Sequence, residues 1–182
     1  QWLRDRMKFF NKASETEKIV KSLKSNNDIY LVPAFTGLGA PYWDANSRGV
    51  LSGITRDTSP KEIVRATIEA VAYQTHDLFE AMKHDGLRPK IVKVDGGMVM
   101  NNWFSQFLSD VVNVKVLRPK VQETTALGAA FMAGLHIGVY KSLKDISRNW
   151  HVDKKFSPKM SKQLRSSLLK GWIKAIKRTL IN

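Results

Sequence analysis

The stretch VDGGMVMNN, residues 94–102, combines residue types that could bind a ligand. A short apolar run leads into it, and a helix-like run, NNWFSQFLSDVV, begins at its end. The adjacent glycines Gly96 and Gly97 let the backbone turn sharply and leave room for a large group to lie against it. The free N–H groups at the start of the next helix attract phosphates and other anions. The pattern therefore fits a nucleotide site, with Asn101 capping the helix or contacting a base or sugar.

The same residues also fit a plain β–α turn with a capped helix and no ligand. Neither a P-loop nor a dinucleotide fingerprint is present, because no Gly-Lys-Ser/Thr follows and the third glycine is missing. Asp95 either holds the turn by accepting backbone N–H bonds or approaches Mg²⁺ through water. Thr124 and Thr125, which open a later helix rich in small residues, either cap that helix or pack beneath a nucleotide. The pattern alone leaves these alternatives open.

Hydrophobic periodicity and turn residues set this stretch within an alternation of strands and helices. Strands are predicted over 29–35, 50–54, 90–94 and 114–117. Residues 1–10 are predicted to be the end of a helix, and residues 11–27 a short surface helix followed by a turn at 25–27. Further helices are predicted over 60–83, 101–112, 123–138, 142–150 and 158–181. Ser59, Pro60 and Glu62 form a helix start signature, a capping box with proline at the first position. This order is typical of an α/β fold with a central sheet.

The composition allows a sizeable core and excludes several kinds of site. The chain has 182 residues, of which 43% are apolar. It contains no apolar run of about 18 residues that could cross a membrane. It has no cysteine, which excludes disulfides and thiolate metal sites and is compatible with the cytoplasm. Its four histidines have no metal-binding spacing.

The net charge of +14 is concentrated near the C-terminal end of the sequence. Residues 141–182 contain 12 Lys and Arg but only 2 acidic residues. A basic nucleic-acid-binding module is one interpretation. Against it, the final helix has an apolar row at Leu164, Leu168, Trp172, Ile176 and Leu180, and lacks the interleaved aromatic and basic residues of a recognition surface. We therefore interpret the charge as a solvated helix face and expect no nucleic-acid partner.

A second stretch carries a more specific signal. GVLSGI at 49–54 is followed after seven residues by Glu62-Ile63 and after two more by ATIE at 66–69. This pattern resembles the C-terminal signature of the FGGY family of carbohydrate kinases. Three further motifs resemble the glycerol kinase branch of that family: PAFTGLGAPYWD, RPKVQETTALGAAFMAG and GWIKAIKR. The resemblance extends over essentially the whole chain.

This resemblance implies a fold and an activity. The fold would be part of the C-terminal actin/hexokinase-like (ribonuclease H-like) ATPase domain, with a central mixed sheet and flanking helices. Residues 1–182 would form this nucleotide-binding domain, incomplete at its N-terminus, since QWLRDRMKFF is an abrupt start. The full-length enzyme would transfer the γ-phosphoryl group of ATP to glycerol, giving sn-glycerol 3-phosphate. It would work in the cytoplasm as a homo-oligomer.

The resemblance also implies individual site residues. Gly97 and Asn101 would lie against the adenine and ribose of ATP or ADP, Gly96 would support the same turn, and Gln1 would contact the nucleotide. No catalytic residue falls within the chain, because the family's catalytic aspartate would precede Gln1. Mg²⁺ is implied, but no ligand for it can be assigned. Another FGGY kinase, acting on a pentulose or hexulose, remains an alternative.

Overall fold

The computed structural model describes residues 1–121 and 123–180. Seven α-helices and five strands are found in these residues. The helices are α1 (Trp2–Asp5), α2 (Glu15–Lys21), α3 (Pro60–His84), α4 (Asn102–Val112), α5 (Thr124–His136), α6 (Leu143–Arg148) and α7 (Lys162–Thr179). The strands are β1 (Tyr30–Val32), β2 (Val50–Ser52), β3 (Ile91–Lys93), β4 (Lys115–Pro119) and β5 (Val152–Phe156). A 3₁₀ turn, Gly97–Met100, separates β3 from α4.

The strands form two small sheets. β1 and β2 pair antiparallel, with Leu31 opposite Leu51. β3 and β4 pair parallel, with Val92 opposite Val116, and β5 joins the other edge of β4 antiparallel. The predicted α/β class and the mixed sheet are confirmed, but the mixed sheet contains only three of the five described strands.

The long helix α3 organises the core. It packs against α2, α4 and β1, and its buried Tyr73 stacks on Trp172 of α7 with ring centroids 5.3 Å apart. Phe107 of α4 meets the same tyrosine edge-on at 5.7 Å. Aromatic pairs in these geometries add to the stability that burial itself provides. Three helices thus meet around one tyrosine.

The start of α3 confirms the predicted capping box. Ser59 Oγ accepts from the Lys61 N–H over 3.2 Å, and the Glu62 carboxylate accepts from the Ser59 N–H over 3.0 Å. Pro60 occupies the first turn, where no intrahelical donor is needed. Helix α3 also ends as predicted, because Gly86 follows it with a φ of +83°.

The structure differs from the sequence-based elements at the C-terminal end. The strand β5 was not predicted, because three of its five residues, Asp153, Lys154 and Lys155, are charged and exposed. Helix α7 begins at Lys162 rather than at 158, since Ser161 caps it by accepting from the Leu164 N–H. Ile181, the predicted last residue of this helix, lies outside the described residues.

Helix α5 presents an apolar surface to solvent. Gly134 is its only buried residue, and Met132, Ile137 and Val139 in and after the helix are more than half exposed. The ring of Phe131 packs edge-on against Tyr140, so this segment makes a small cluster of its own. Among the described helices, none combines the length and apolar character needed to cross a bilayer.

Candidate functional site

A cavity of about 770 Å³ opens beside the glycine turn. Its walls come from α1, the segment leading into α2 and the first turn of α2, the loop after β1, the N-terminal part of α3, and the 3₁₀ turn with Asn101. Most lining side chains are apolar: Trp2, Leu3, Phe10, Ala13, Phe35, Val64, Ile68, Met98 and Met100. The polar ones are Gln1, Arg4, Ser14, Thr16, Glu17, Thr67 and Asn101. Mostly apolar walls with a few polar groups are typical of pockets for small organic ligands.

Three of the four predicted site residues line this cavity. Gly97 begins the 3₁₀ turn and Asn101 follows it as the cap of α4. Gln1 stands at the start of α1, where its carbonyl accepts from the Asp5 N–H over 2.8 Å. Gly96 does not line the cavity. It stands one residue earlier with a φ of +83°, a conformation that glycine adopts without strain.

The space beside Gly97 is empty of protein atoms. A Cβ atom added there would meet no described heavy atom within 4 Å apart from its chain neighbours. Core packing therefore does not explain why a side chain is absent at this position. A bare backbone on a cavity wall is suited to a flat ligand that approaches closely.

Asn101 caps α4 and also joins it to α2. Its Oδ1 accepts from the Phe104 N–H over 3.0 Å, as the cap interpretation predicted. Its Nδ2 donates to Thr16 Oγ1 over 3.4 Å. The two bonds fix the orientation of the amide, so the cavity wall at this point is already ordered.

Glu17 makes a second link between the same helices. Its Oε2 accepts from the Asn102 N–H over 3.2 Å, and its Oε1 pairs with Lys21 over 2.5 Å. Burial acts to raise the pKa of Glu17, but the bonds from Lys21 and Asn102 outweigh it and hold this pKa below its ordinary value. The ionised carboxylate thus satisfies a free N–H at the start of α4.

A buried ion pair fixes α2 from its other end. Arg65 of α3 donates to the Leu23 carbonyl over 2.7 Å and to Glu69 over 2.7 Å. Tyr73 donates to the same carboxylate over 3.0 Å. Burial raises the pKa of Glu69 despite the neighbouring guanidinium. Because each polar group has partners, this cluster can hold α2 against α3 without a lone buried charge.

Two other candidates have structural roles outside the cavity. Asp95 accepts a hydrogen bond from Thr124 Oγ1, so the Thr124 hydroxyl joins the glycine turn to α5 instead of capping that helix. Thr125 is exposed on the same first turn. Among residues 1–121 and 123–180, no three His, Asp or Glu side chains converge to hold a metal ion.

Sequence reasoning missed the α2 side of the cavity. The sequence predicts a short surface helix within residues 11–27, and the i,i+4 pair of Glu17 and Lys21 is of a kind common on exposed helices. The contacts of Thr16 and Glu17 with the start of α4 span 85 residues of sequence. No local pattern indicates a contact of that range.

Comparison with known proteins identifies the family to which the sequence is similar. Residues 1–137 match the sequence model of the FGGY family of carbohydrate kinases, C-terminal domain. Among curated relatives, glycerol kinase 1 of Pseudomonas aeruginosa is 52% identical over 178 residues, which is 98% of this chain. A glycerol kinase of Clostridium botulinum is 49% identical over 181 residues, 99% of this chain. The chain spans only 36% of the length of each of these relatives.

Solved structures agree on the fold. A crystal structure of Plasmodium falciparum glycerol kinase with ADP superimposes with a TM-score of 0.88 at 35% identity, covering 100% of this chain and 36% of that one. A ligand-bound xylulose kinase from Lactobacillus acidophilus gives a TM-score of 0.77 at 23% identity, covering 97% of this chain and 36% of that one. At that lower identity the likeness shows the fold alone.

Proposed function

The chain belongs to the FGGY family of carbohydrate kinases, and on that premise we propose that it is the nucleotide-binding part of a glycerol kinase. The observation that carries this proposal is the cavity lined by Gly97, Asn101 and Gln1. The Plasmodium falciparum glycerol kinase structure, which is a structure with ADP, supports a nucleotide as the occupant of this cavity. The identities of 49–52% to proteins named glycerol kinase favour glycerol over a pentulose or hexulose as the phosphoryl acceptor.

ATP or ADP would lie with its adenosine in the cavity. The base would rest on the bare backbone of Gly97, between the apolar side chains of Met98 and Trp2. Gly96, which precedes the turn with a positive φ, would let the backbone enter the turn. Asn101 and Gln1 would supply polar contacts at the base and sugar, since an amide both donates and accepts hydrogen bonds. The nucleotide would supply the phosphoryl group for transfer to an alcohol.

No Mg²⁺ ligands can be identified among the described residues. Asp95, the carboxylate next to the glycine turn, is engaged by Thr124. The described residues hold no cluster of three acidic or histidine side chains.

The proposed reaction needs groups beyond those described. Phosphoryl transfer depends on an in-line arrangement of donor and acceptor and on stabilisation of charge around the transferred group. Among the described residues that line the cavity, one side chain is cationic, Arg4, and it is paired with Asp5 over 2.7 Å. We therefore expect these 182 residues to bind adenine nucleotide and to show no ATP-dependent glycerol phosphorylation alone.

We also propose a compartment and an association state for the enzyme. The absence of cysteine is compatible with a reducing compartment, which favours the cytoplasm. The exposed apolar residues Met132, Ile137 and Val139 favour association with further protein surface, as in a homo-oligomer. Fractionation of cells and sedimentation of the longer enzyme test these two statements.

Chemical-shift mapping with ADP tests the proposed function. We expect the amide signals of Thr16, Gly97 and Asn101 to move on titration, while those of α7 stay in place. Shifts confined to α7, or none at all, would contradict it. The same spectra recorded with a DNA duplex at low salt test the alternative of nucleic-acid binding. DNA bound through the basic helix α7 would shift the α7 signals, and added salt would reverse those shifts.

A further inference from the structure

Arg118 lies behind the 3₁₀ turn, away from the cavity. It is on β4 and is only 6% exposed. Its Nη1 donates to the Val99 carbonyl over 2.8 Å and lies 3.4 Å from the Met100 carbonyl. Gly97 and Met100 line the cavity, whereas the buried Val99 does not. Arg118 itself does not line the cavity, so it contacts the turn from outside it.

A β-bulge brings Asp153 to Arg118. In the β4–β5 ladder, Arg118 lies opposite Lys154 but Pro119 lies opposite Val152, so Asp153 is the extra residue. A bulge of this kind changes the direction of a side chain that would otherwise point to the other face. Asp153 Oδ2 accepts from Arg118 Nε over 2.8 Å and from Nη2 over 2.7 Å. The guanidinium is therefore held in one orientation.

The Val99 carbonyl has a second donor that also comes from the core side. Ser105 Oγ, fully buried on α4, donates to it over 2.9 Å. The Arg118 guanidinium also lies over the ring of Phe156, 5.7 Å from its centroid. The turn is thus fixed to β4, β5 and α4, and Arg118 makes the charged contact. Hydrogen bonds with one ionised partner are stronger than neutral ones.

We propose that Arg118, oriented by Asp153, is a positioning residue that holds the Gly97–Met100 turn in the shape that receives the nucleotide. The proposal rests on the proposed function, since it names a residue that acts on the same site. Without Arg118 the turn would sample other conformations, and ligand binding would have to order it. That ordering opposes affinity.

Two variants and a matched control test the proposal. Arg118→Met removes the charge and the planar set of N–H donors of the guanidinium while keeping an unbranched apolar side chain. Arg118→Lys keeps the charge but loses the planar guanidinium. Arg148→Met is the control for the substitution itself, because Arg148 also pairs with an aspartate, Asp145, but on exposed α6. ADP affinity is measured by calorimetry well below each unfolding midpoint. Hydrogen exchange is measured at the Asn101 amide, which donates to the Met98 carbonyl over 3.2 Å.

We expect Arg118→Met to weaken ADP binding by about tenfold and to speed exchange at the Asn101 amide. Arg118→Lys should fall between wild type and Arg118→Met, and Arg148→Met should match wild type. Adding Asp153→Asn to Arg118→Met should cause little further loss, because the two residues act as one unit.

Other outcomes separate this proposal from the proposed function. If Arg118→Met lowers the unfolding midpoint but leaves ADP affinity and Asn101 exchange unchanged, Arg118 is merely structural and the proposal is overturned. If the wild type does not bind ADP, the proposed function of the chain fails. In that case, faster exchange at the Asn101 amide in Arg118→Met still supports the proposal that Arg118 holds the turn. Unchanged exchange overturns that proposal.

Discussion

The backbone N–H of Asn102 donates to Oε2 of Glu17 over 3.2 Å. This bond joins the N-terminus of α4 to α2, and Asn101 makes a parallel link to Thr16. A carboxylate at a helix N-terminus interacts favourably with the free N–H groups and the helix dipole. Because Thr16, Glu17 and Asn101 all line the cavity, these two bonds join its α2 wall to the wall at the start of α4.

The first prediction is a pH dependence of stability that originates at Glu17. Its folded-state pKa lies below the ordinary value of 4.5, so its contribution is present above that value and is lost as pH falls through the folded pKa. We expect the free energy of unfolding of the wild type to fall more steeply than that of Glu17→Gln below about pH 5.

Urea unfolding at a series of pH values measures this difference. Asp57→Asn, a change at an exposed loop residue, serves as the control and should keep the wild-type slope. Parallel slopes for wild type and Glu17→Gln would show that the carboxylate does not stabilise the α2–α4 contact.

The second prediction concerns Gly171, where α7 crosses β1. A Cβ atom at this position would collide with the phenol ring of Tyr30. We expect Gly171→Ala to lower the free energy of unfolding by about 2 kcal/mol, as overpacking does, although alanine favours helices. Chemical denaturation gives the value.

Gly128 provides the matched control for that substitution. It also lies within a helix, α5, but a Cβ atom there would meet nothing within 4 Å. Gly128→Ala should therefore raise the helix content seen by circular dichroism, or leave it unchanged, without loss of stability. If Gly171→Ala is equally harmless, α7 does not pack on Tyr30 as described.

The third prediction concerns Asp77, which joins three parts of the core. Its Oδ2 accepts from Trp172 Nε1 over 2.7 Å and from Tyr42 OH over 2.8 Å. Burial and this bond raise the pKa of the Tyr42 hydroxyl, so it stays a donor at neutral pH. Asp77→Ala would leave a fully buried indole N–H unpaired, and we expect a loss of about 3 kcal/mol in urea unfolding.

A comparison with Asp145→Ala isolates the buried contact at Asp77. Asp145 also accepts from a side chain, Arg148, but on the exposed helix α6. Exposed pairs of this kind contribute up to about 1 kcal/mol, and often much less. Equal losses in the two variants would mean that Trp172 and Tyr42 find other partners when Asp77 is removed.

Sequence reasoning succeeded where the signals are local. The capping box of Ser59 and Glu62, the cap at Asn101 and the glycine after α3 each depend on neighbours within a few residues. Those signals predicted the main helices and the α/β class. The local pattern also indicates the glycine turn as a nucleotide site, whereas Gln1 is implied by the family resemblance alone. The structure brings Gln1, Gly97 and Asn101 to one cavity.

The remaining features depend on long-range contacts that no local pattern carries. β5 is stabilised by pairing with β4, whereas its run of charged residues is more typical of a loop. Glu17 lies in a segment predicted only as a surface helix, and its bond to the Asn102 N–H spans 85 residues of sequence. Arg118 lies between Leu117, the end of the predicted strand, and Pro119, and its ion pair with Asp153 at the bulge has no local signal in the sequence. Two sheets form where one central sheet was expected.

A calorimetric titration of ADP into wild type and Gly97→Trp tests the central claim most directly. The indole would occupy the open space beside the turn, so we expect wild type to bind ADP and Gly97→Trp to lose binding. Gly39→Trp, placed in an equally open position outside the cavity, should bind like wild type. Equal affinity in wild type and Gly97→Trp would show that the nucleotide does not lie against Gly97.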